Sequence, residues 1–294
     1  MRCWERSSPL SFLLLLHEAV GVGGRLATEF GFNRENGDAS EHREKYMRRI
    51  KTLLARQRVE PLRAWRAMRE LLKNPDDTTQ VFHIIEALKG DSLSAAVRRL
   101  RSTEQGRHML QKKPNIVGFL NDREWLLSLP DGSIGQIYYD FVHGENLSAE
   151  GLIASSETSS RAEIYRGLSE DEIWLADRLR DIHDWQHVMT GYGRDPVGEL
   201  RMVSCMATRT PNRGIRFIVK IGQWKYRREV PQFDIRTLIK EGAEIARNAV
   251  WMAEINWEEK LTQPLEVVRA ELGFTAPLRY QRLREQAPQL LAAA

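Results

Sequence analysis

The 22 residues from Arg178 to Glu199, RLRDIHDWQHVMTGYGRDPVGE, constrain this chain more than any other stretch. On a helix, His183 and His187 stand at i and i+4 and share a face, with Asp184 at its edge. An unbroken helix would carry Glu199 about 18 Å beyond His187 at 1.5 Å per residue. Gly191, Gly193, Pro196 and Gly198 argue against continuation past Thr190. A reversal there, with a second helix starting at Pro196, would bring Glu199 back opposite the histidines. Trp174, Leu175, Leu179, Ile182 and Trp185 put apolar residues on more than one side of the first helix, the pattern of a buried element. Burying Asp184 with two histidines then requires charge pairing, which a divalent cation would supply.

The expected constellation is therefore His183, Asp184, His187 and Glu199 around one ion. Imidazole nitrogen and carboxylate oxygen suit zinc or a similar divalent metal, and an open coordination position would permit catalysis. Bound metal could polarise a carboxylate or carbonyl, or activate water, and the residues do not choose between these. The alternative is a set of solvated helix charges beside one or two satisfied histidines. Arg178 and Arg180 lie within about a turn of His183, where they could bind an anionic substrate or pair with Asp177 or Asp181. His83 and His108 stand alone on their helices and are read as packed or surface residues.

The motif HDxxH, eleven residues, then Glu resembles the signature of the fourth Coq protein family of coenzyme Q (ubiquinone) biosynthesis, with its positions falling on His183, Asp184, His187 and Glu199. LPDGSIGQIYYDF at 129–141 resembles the family's LP-x-G-T-x-G-x-x-Y block, Arg178 and Arg180 its R-x-R lead-in, and PLEVVRAELGF at 264–274 its closing segment. The resemblance covers about residues 74–277. After the glutamate this chain has Leu200, Arg201, Met202 and Val203 where the family commonly has Ala, an apolar residue and Lys, which leaves an altered substrate open. The resemblance implies metal-dependent oxidative decarboxylation of a 4-hydroxy-3-polyprenylbenzoate-type intermediate, with the ring carboxylate replaced by hydroxyl. The ion, zinc for preference, would be held by the four motif residues, with Arg178 or Arg180 helping to neutralise the head group. The implied partners are the polyprenylated precursor, other ubiquinone enzymes and a membrane surface, with peripheral attachment on the cytoplasmic face or the equivalent organelle matrix face. A non-catalytic lipid-binding scaffold for a ubiquinone complex is the alternative. An HD-type phosphohydrolase is a third reading, which would have to recruit His143 and Asp234. Homo-oligomerisation is left open.

Bulk properties agree with a folded chain and exclude several classes. With 294 residues, 42% hydrophobic and 29% charged, the chain is long enough for a substantial core. Its net charge of +4 is spread over many helices, and no nucleic-acid motif accompanies it, so no nucleic-acid partner is expected. Two cysteines, Cys3 and Cys205, make no disulfide framework. Leu10 to Leu16 follows Arg2 and Arg6 in the manner of a signal peptide, but this run is far short of the roughly 20 residues that span a bilayer.

The chain reads as an all-α single multi-helix domain at 47–280, preceded by a disordered extension at 1–46 and followed by a frayed tail at 281–294. A basic helix RRIKTLLARQR is expected near residues 48–58, caps at Asp76 and Asp77, and a loop from Ser155 to Arg166. Ser169 should open the helix of the histidines, since SEDE offers a cap followed by acids. Phe233 to Trp257 is expected to be the longest helix. Its Gly242, Ala243, Ala246 and Ala249 would allow tight packing or leave room for a bound chain.

Overall fold

Apolar residues at helical spacing, punctuated by Gly and Pro, give a chain built from helices. A computed structural model describes residues 59–74, 77–144, 165 and 167–288. Among them are fourteen α-helices, two 3₁₀ turns and one isolated bridge, Ser133 to Pro264, but no strand, so the fold is all-α as expected. The extension at 1–46, the basic helix at 48–58, the cap at Asp76 and most of the 155–166 loop lie outside the described residues. The described helices fall into two compact units.

The first unit holds α1 (Pro61–Lys73), α2 (Thr78–Leu88) and the start of α11 (Arg213–Glu229). Pro61 begins α1, where its missing N–H costs nothing. Ala64, Ala67 and Met68 face Ile84, Ala87 and Leu88 of α2, while Leu62 is exposed. Asn212 caps α11 by accepting from the Gly214 and Ile215 amides, and Gly214 lets that end approach the α2 backbone: a Cβ there would lie 2.7 Å from the Ile84 carbonyl oxygen.

The second unit carries the candidate site. It contains α3 (Ser92–Ser102), α4 (Glu104–Lys112), α5 (Val117–Asn121), α6 (Arg123–Leu127), α7 (Ile134–Gly144), α8 (Glu170–Asp181), α9 (His183–Thr190) and α10 (Pro196–Arg209). After the remainder of α11 come α12 (Ile235–Asn248), α13 (Leu265–Leu272) and α14 (Leu278–Gln286). Its main core gathers Tyr138, Trp185, Met202, Trp257, Val268 and Tyr280 from separate elements. Fully burying an aliphatic or Phe side chain stabilises by about 1.5–3 kcal/mol, and the aromatic pairs Tyr138–Trp185 and Trp185–Trp257, at 5.5 and 5.3 Å between ring centroids, add contact geometry to that burial.

Three expectations are corrected here. The helix of the histidines is two helices, because Ile182 (φ −87°, ψ 11°) leaves helical geometry between α8 and α9. Among the described residues the longest helix is α11, of 17 residues, since α12 stops at Asn248. Beyond it the Val250 amide turns to the Leu272 carbonyl, and Trp251 and Trp257 are buried instead of continuing a helix face. Part of the expected tail is helical: α14 runs to Gln286 and buries Leu283 and, just past its end, Ala287, while residues 289–294 lie outside the described residues.

Candidate metal centre

Local sequence sets the entry and exit of each helix that carries the site. Ser169 and Glu172 form a reciprocal capping box at the start of α8. Gly191 ends α9 with φ +73°, a conformation that favours glycine, and its amide donates to the His187 carbonyl at 2.8 Å. Four residues later Asp195 caps α10, accepting from the Val197 and Gly198 amides at 3.2 and 2.9 Å, with Pro196 at the first helical position. The chain therefore reverses between Thr190 and Pro196 and returns Glu199 to the histidines, as the glycine and proline pattern requires.

His183, His187 and Glu199 converge, each offering a ligand atom within 4.8 Å of the others. One carboxylate oxygen faces each ring: Glu199 Oε1 lies 3.4 Å from His183 Nε2, and Oε2 lies 3.0 Å from His187 Nε2. The His187 side chain is fully buried, whereas those of His183 and Glu199 are 25% and 37% exposed, so the group opens to solvent on their side. Phe141 of α7 stacks on the His187 ring at 5.6 Å. His187 Nδ1 lies 3.0 Å from the Tyr192 carbonyl oxygen, which can only accept, so Nδ1 carries a proton and Nε2 is the nitrogen that faces the carboxylate. Despite its closeness to Glu199, this buried Nε2 has no hydrogen-bond partner of acceptable geometry.

The electrostatics follow from this packing. Burial works against charge on His183, but the hydrogen bond and charge of Glu199 outweigh it and raise the pKa above the ordinary histidine value. Burial likewise works against a charged Glu199, and the two imidazoles overcome it, holding the carboxyl well below the usual range. The chemistry of the three donors suits a cation as well. Tetrahedral zinc with bonds of about 2.0–2.2 Å places ligand atoms roughly 3.3–3.6 Å apart; here one donor atom from each of the three residues lies within 4.8 Å of the others, near enough for small side-chain shifts to close on one ion. Three protein donors of this kind are the set that leaves one position open.

The other expected residues are placed differently. Asp184 is buried and its charge acts on His183, but it is not among the converging ligand atoms, because one step along α9 turns it about 100° from His183. Arg178, 1% exposed at its side chain, makes a two-pronged ion pair with Glu258 at 2.6 and 3.2 Å and donates to the Ile255 carbonyl. Arg180 pairs with Asp181 and Asp177. Both terminal nitrogens of Arg178 are engaged in these contacts, while its buried Nε has no hydrogen-bond partner. His143 is exposed beside Arg123, and Asp234 caps α12 through the Thr237 amide, so the ligands an HD-type phosphohydrolase would need are employed elsewhere.

Sequence reasoning missed three contributors. The Tyr192 carbonyl is a backbone group without a sequence signal. Arg269, within the 264–274 block, donates to the Met189 and Val188 carbonyls and so closes the C-terminal end of α9. Tyr280 is the last residue of the expected domain and carried no motif, yet its hydroxyl accepts from the Gly193 amide at 2.8 Å. Burial and the adjoining Asp195 carboxylate push its phenol pKa up, so it stays protonated.

Fold and site together define an all-α protein in which two histidines and a glutamate converge at a helix–turn–helix reversal. The family model described as coenzyme Q (ubiquinone) biosynthesis protein Coq4 matches residues 54–277, well over half of the chain. The chain belongs to that family. Among its relatives, the mitochondrial ubiquinone biosynthesis protein COQ4 homolog of Bos taurus is 27% identical over 179 residues, 61% of this chain and 64% of that protein. The human homolog is 25% identical over 206 residues, 70% of this chain and 74% of that one. The chain thus spans just under two thirds of the bovine relative's length. A crystal structure of a Nostoc punctiforme protein superposes with a TM-score of 0.53 at 17% identity, covering 73% of this chain and 98% of that one, a likeness of fold alone.

Proposed function

We propose that this chain is a metal-dependent enzyme of ubiquinone biosynthesis that removes the ring carboxylate of a 4-hydroxy-3-polyprenylbenzoate-type intermediate and puts a hydroxyl in its place. The observation that carries this reading is the buried, unpartnered Nε2 of His187 turned toward Glu199. A buried ring nitrogen held against a carboxylate without a well-formed hydrogen bond costs free energy, which a cation between the two would relieve. His183, His187 and Glu199 would hold the ion, with Asp184 beside them, and this donor set suits zinc.

When bound, a divalent metal supplies Lewis acidity toward a carboxylate or carbonyl oxygen. The chain's own residues prepare the place for it. The Tyr192 carbonyl keeps the His187 proton on Nδ1, and Phe141 fixes the plane of the ring. Glu199 and His183, on the open side, are the members an arriving head group meets. The carboxylate leaves as carbon dioxide, and the gain of a hydroxyl requires a two-electron oxidant from outside the chain.

No described helix is long and apolar enough to cross a membrane, and we place the protein peripherally, on a cytoplasmic or matrix face, near the other ubiquinone enzymes. A second reading is a lipid-binding scaffold with a structural metal, and both readings have to make room for a prenyl chain. The apolar cavity among Leu179, Ile182, Met206, Ile245, Ala246 and Phe274 is only about 30 Å³, so a prenylated ring would have to open it. Elemental analysis and native mass spectrometry, followed by release of labelled carbon dioxide from a carboxyl-labelled substrate, test both. We expect about one metal per chain, lost in His187→Ala with helicity retained and kept in Asp184→Asn, together with turnover. Metal without turnover would favour the scaffold. Failure to bind zinc, magnesium or manganese would overturn the metal reading.

A further inference from the structure

The family match ends at residue 277, and α14 begins at Leu278, yet α14 reaches into the turn that builds the site. Tyr280 is fully buried. Its hydroxyl accepts from the Gly193 amide and donates to Asp195 Oδ2, while the other oxygen of Asp195 caps α10, the helix of Glu199. The Glu199 amide itself donates to the Asp195 carbonyl at 2.8 Å. The phenol is wedged between two glycines: a Cβ on Gly193 or Gly198 would lie 2.6 or 2.7 Å from the Tyr280 hydroxyl oxygen. The Tyr280 ring also meets that of Tyr192 edge-on at 5.3 Å, and the Tyr192 carbonyl fixes the His187 tautomer. Behind both rings lies the Arg201 guanidinium, 5.2 and 5.3 Å from their centroids and paired with Glu241, which in turn accepts from the Arg279 amide at 2.7 Å.

One hydroxyl therefore touches both arms of the reversal, the arm that orients His187 and the arm that starts the helix of Glu199. We propose that Tyr280 is a positioning residue that sets the spacing of His187 and Glu199 for the metal. The inference rests on the metal reading above and adds α14 to the working site. Outer groups that orient metal ligands are typically worth about 10–100-fold in metal affinity.

The test is zinc affinity by competition with a chromophoric chelator, measured on the full chain and on Tyr280→Phe, which keeps the ring and removes only the hydroxyl. We expect affinity about 10–100-fold weaker in the variant with unchanged helicity. A purely structural role would lower the melting temperature and leave the affinity of the folded protein alone, and that result overturns the proposal. Amide exchange in the unmodified, metal-free protein gives an independent measure that needs no variant. Gly193 should be strongly protected, and exchange at the rate of an open loop overturns the clamp. Protected Gly193 in a chain that binds no zinc would instead overturn the metal reading and leave the α14 clamp as architecture alone.

Discussion

At the scale of single residues, neighbours decide between chemistry and structure. Arg178 lies one turn from His183 and has the charge to meet a carboxylate, but its guanidinium is spent on Glu258 and the Ile255 carbonyl. Removing one partner of a buried ion pair typically costs about 3–5 kcal/mol, because the other charge is stranded. The Glu258 side chain is 10% exposed, which puts this pair in that regime. Arg178→Met is therefore expected to lower unfolding free energy by about 3–5 kcal/mol in a denaturant titration, with metal content per folded chain unchanged. Unchanged stability with weakened head-group binding would return Arg178 to the substrate. The sequence made the histidines, Glu199 and the Gly and Pro reversal legible, because those signals are local. Glu258, 80 residues along, could not be seen as the partner of Arg178, since an ion pair across the fold leaves no spacing to read.

At the scale of elements, caps were legible and breaks were not. The Ser169–Glu172 box, the glycine at Gly191 and the Asp195–Pro196 start are each encoded within about four residues. The interruption at Ile182 has no local sequence signal, and just past the end of α12 the Val250 amide turns to the Leu272 carbonyl, a tertiary contact that overrides helix propensity. Helix α9 shows what such contacts do. It has only eight residues, too few to stand alone in water, and its last carbonyls need partners. Arg269 of α13 supplies them, donating Nε to Met189 at 3.1 Å and Nη2 to Val188 at 2.6 Å, and its positive charge sits at the negative end of the helix. Arg269→Ala leaves two carbonyls unsatisfied, at about 1–3 kcal/mol for each that stays buried. We expect a stability loss of about 2–4 kcal/mol and faster amide exchange along α9, read by hydrogen-exchange mass spectrometry. Exchange that rises everywhere except α9 would show that the helix is held by something else.

At the scale of the whole molecule, the site couples stability to pH, and the metal proposed for it would couple in the opposite direction. Without metal, His183 has a pKa raised above its ordinary 6.5 and Glu199 one depressed below 4.5. A raised histidine stabilises the fold fully below its unfolded pKa, and that contribution is lost as pH climbs through the folded value. A depressed carboxylate stabilises above its unfolded pKa and fails as pH falls through the folded value. Both contributions are complete only between about pH 4.5 and 6.5, so the metal-free pair stabilises most there. A divalent ion replaces the imidazole proton, and its affinity must therefore rise with pH. At a free concentration 100 times its dissociation constant, a ligand that binds only the folded state adds about 2.7 kcal/mol. Melting temperature against pH, with and without zinc, should give two curves that meet below about pH 5 and separate steadily toward pH 8. His187→Ala should collapse them onto one. Curves for the unaltered chain that coincide at every pH would mean that the carboxylate is held by histidine protons alone, and the reversal between α9 and α10 would then be an ion pair, with no place for a metal.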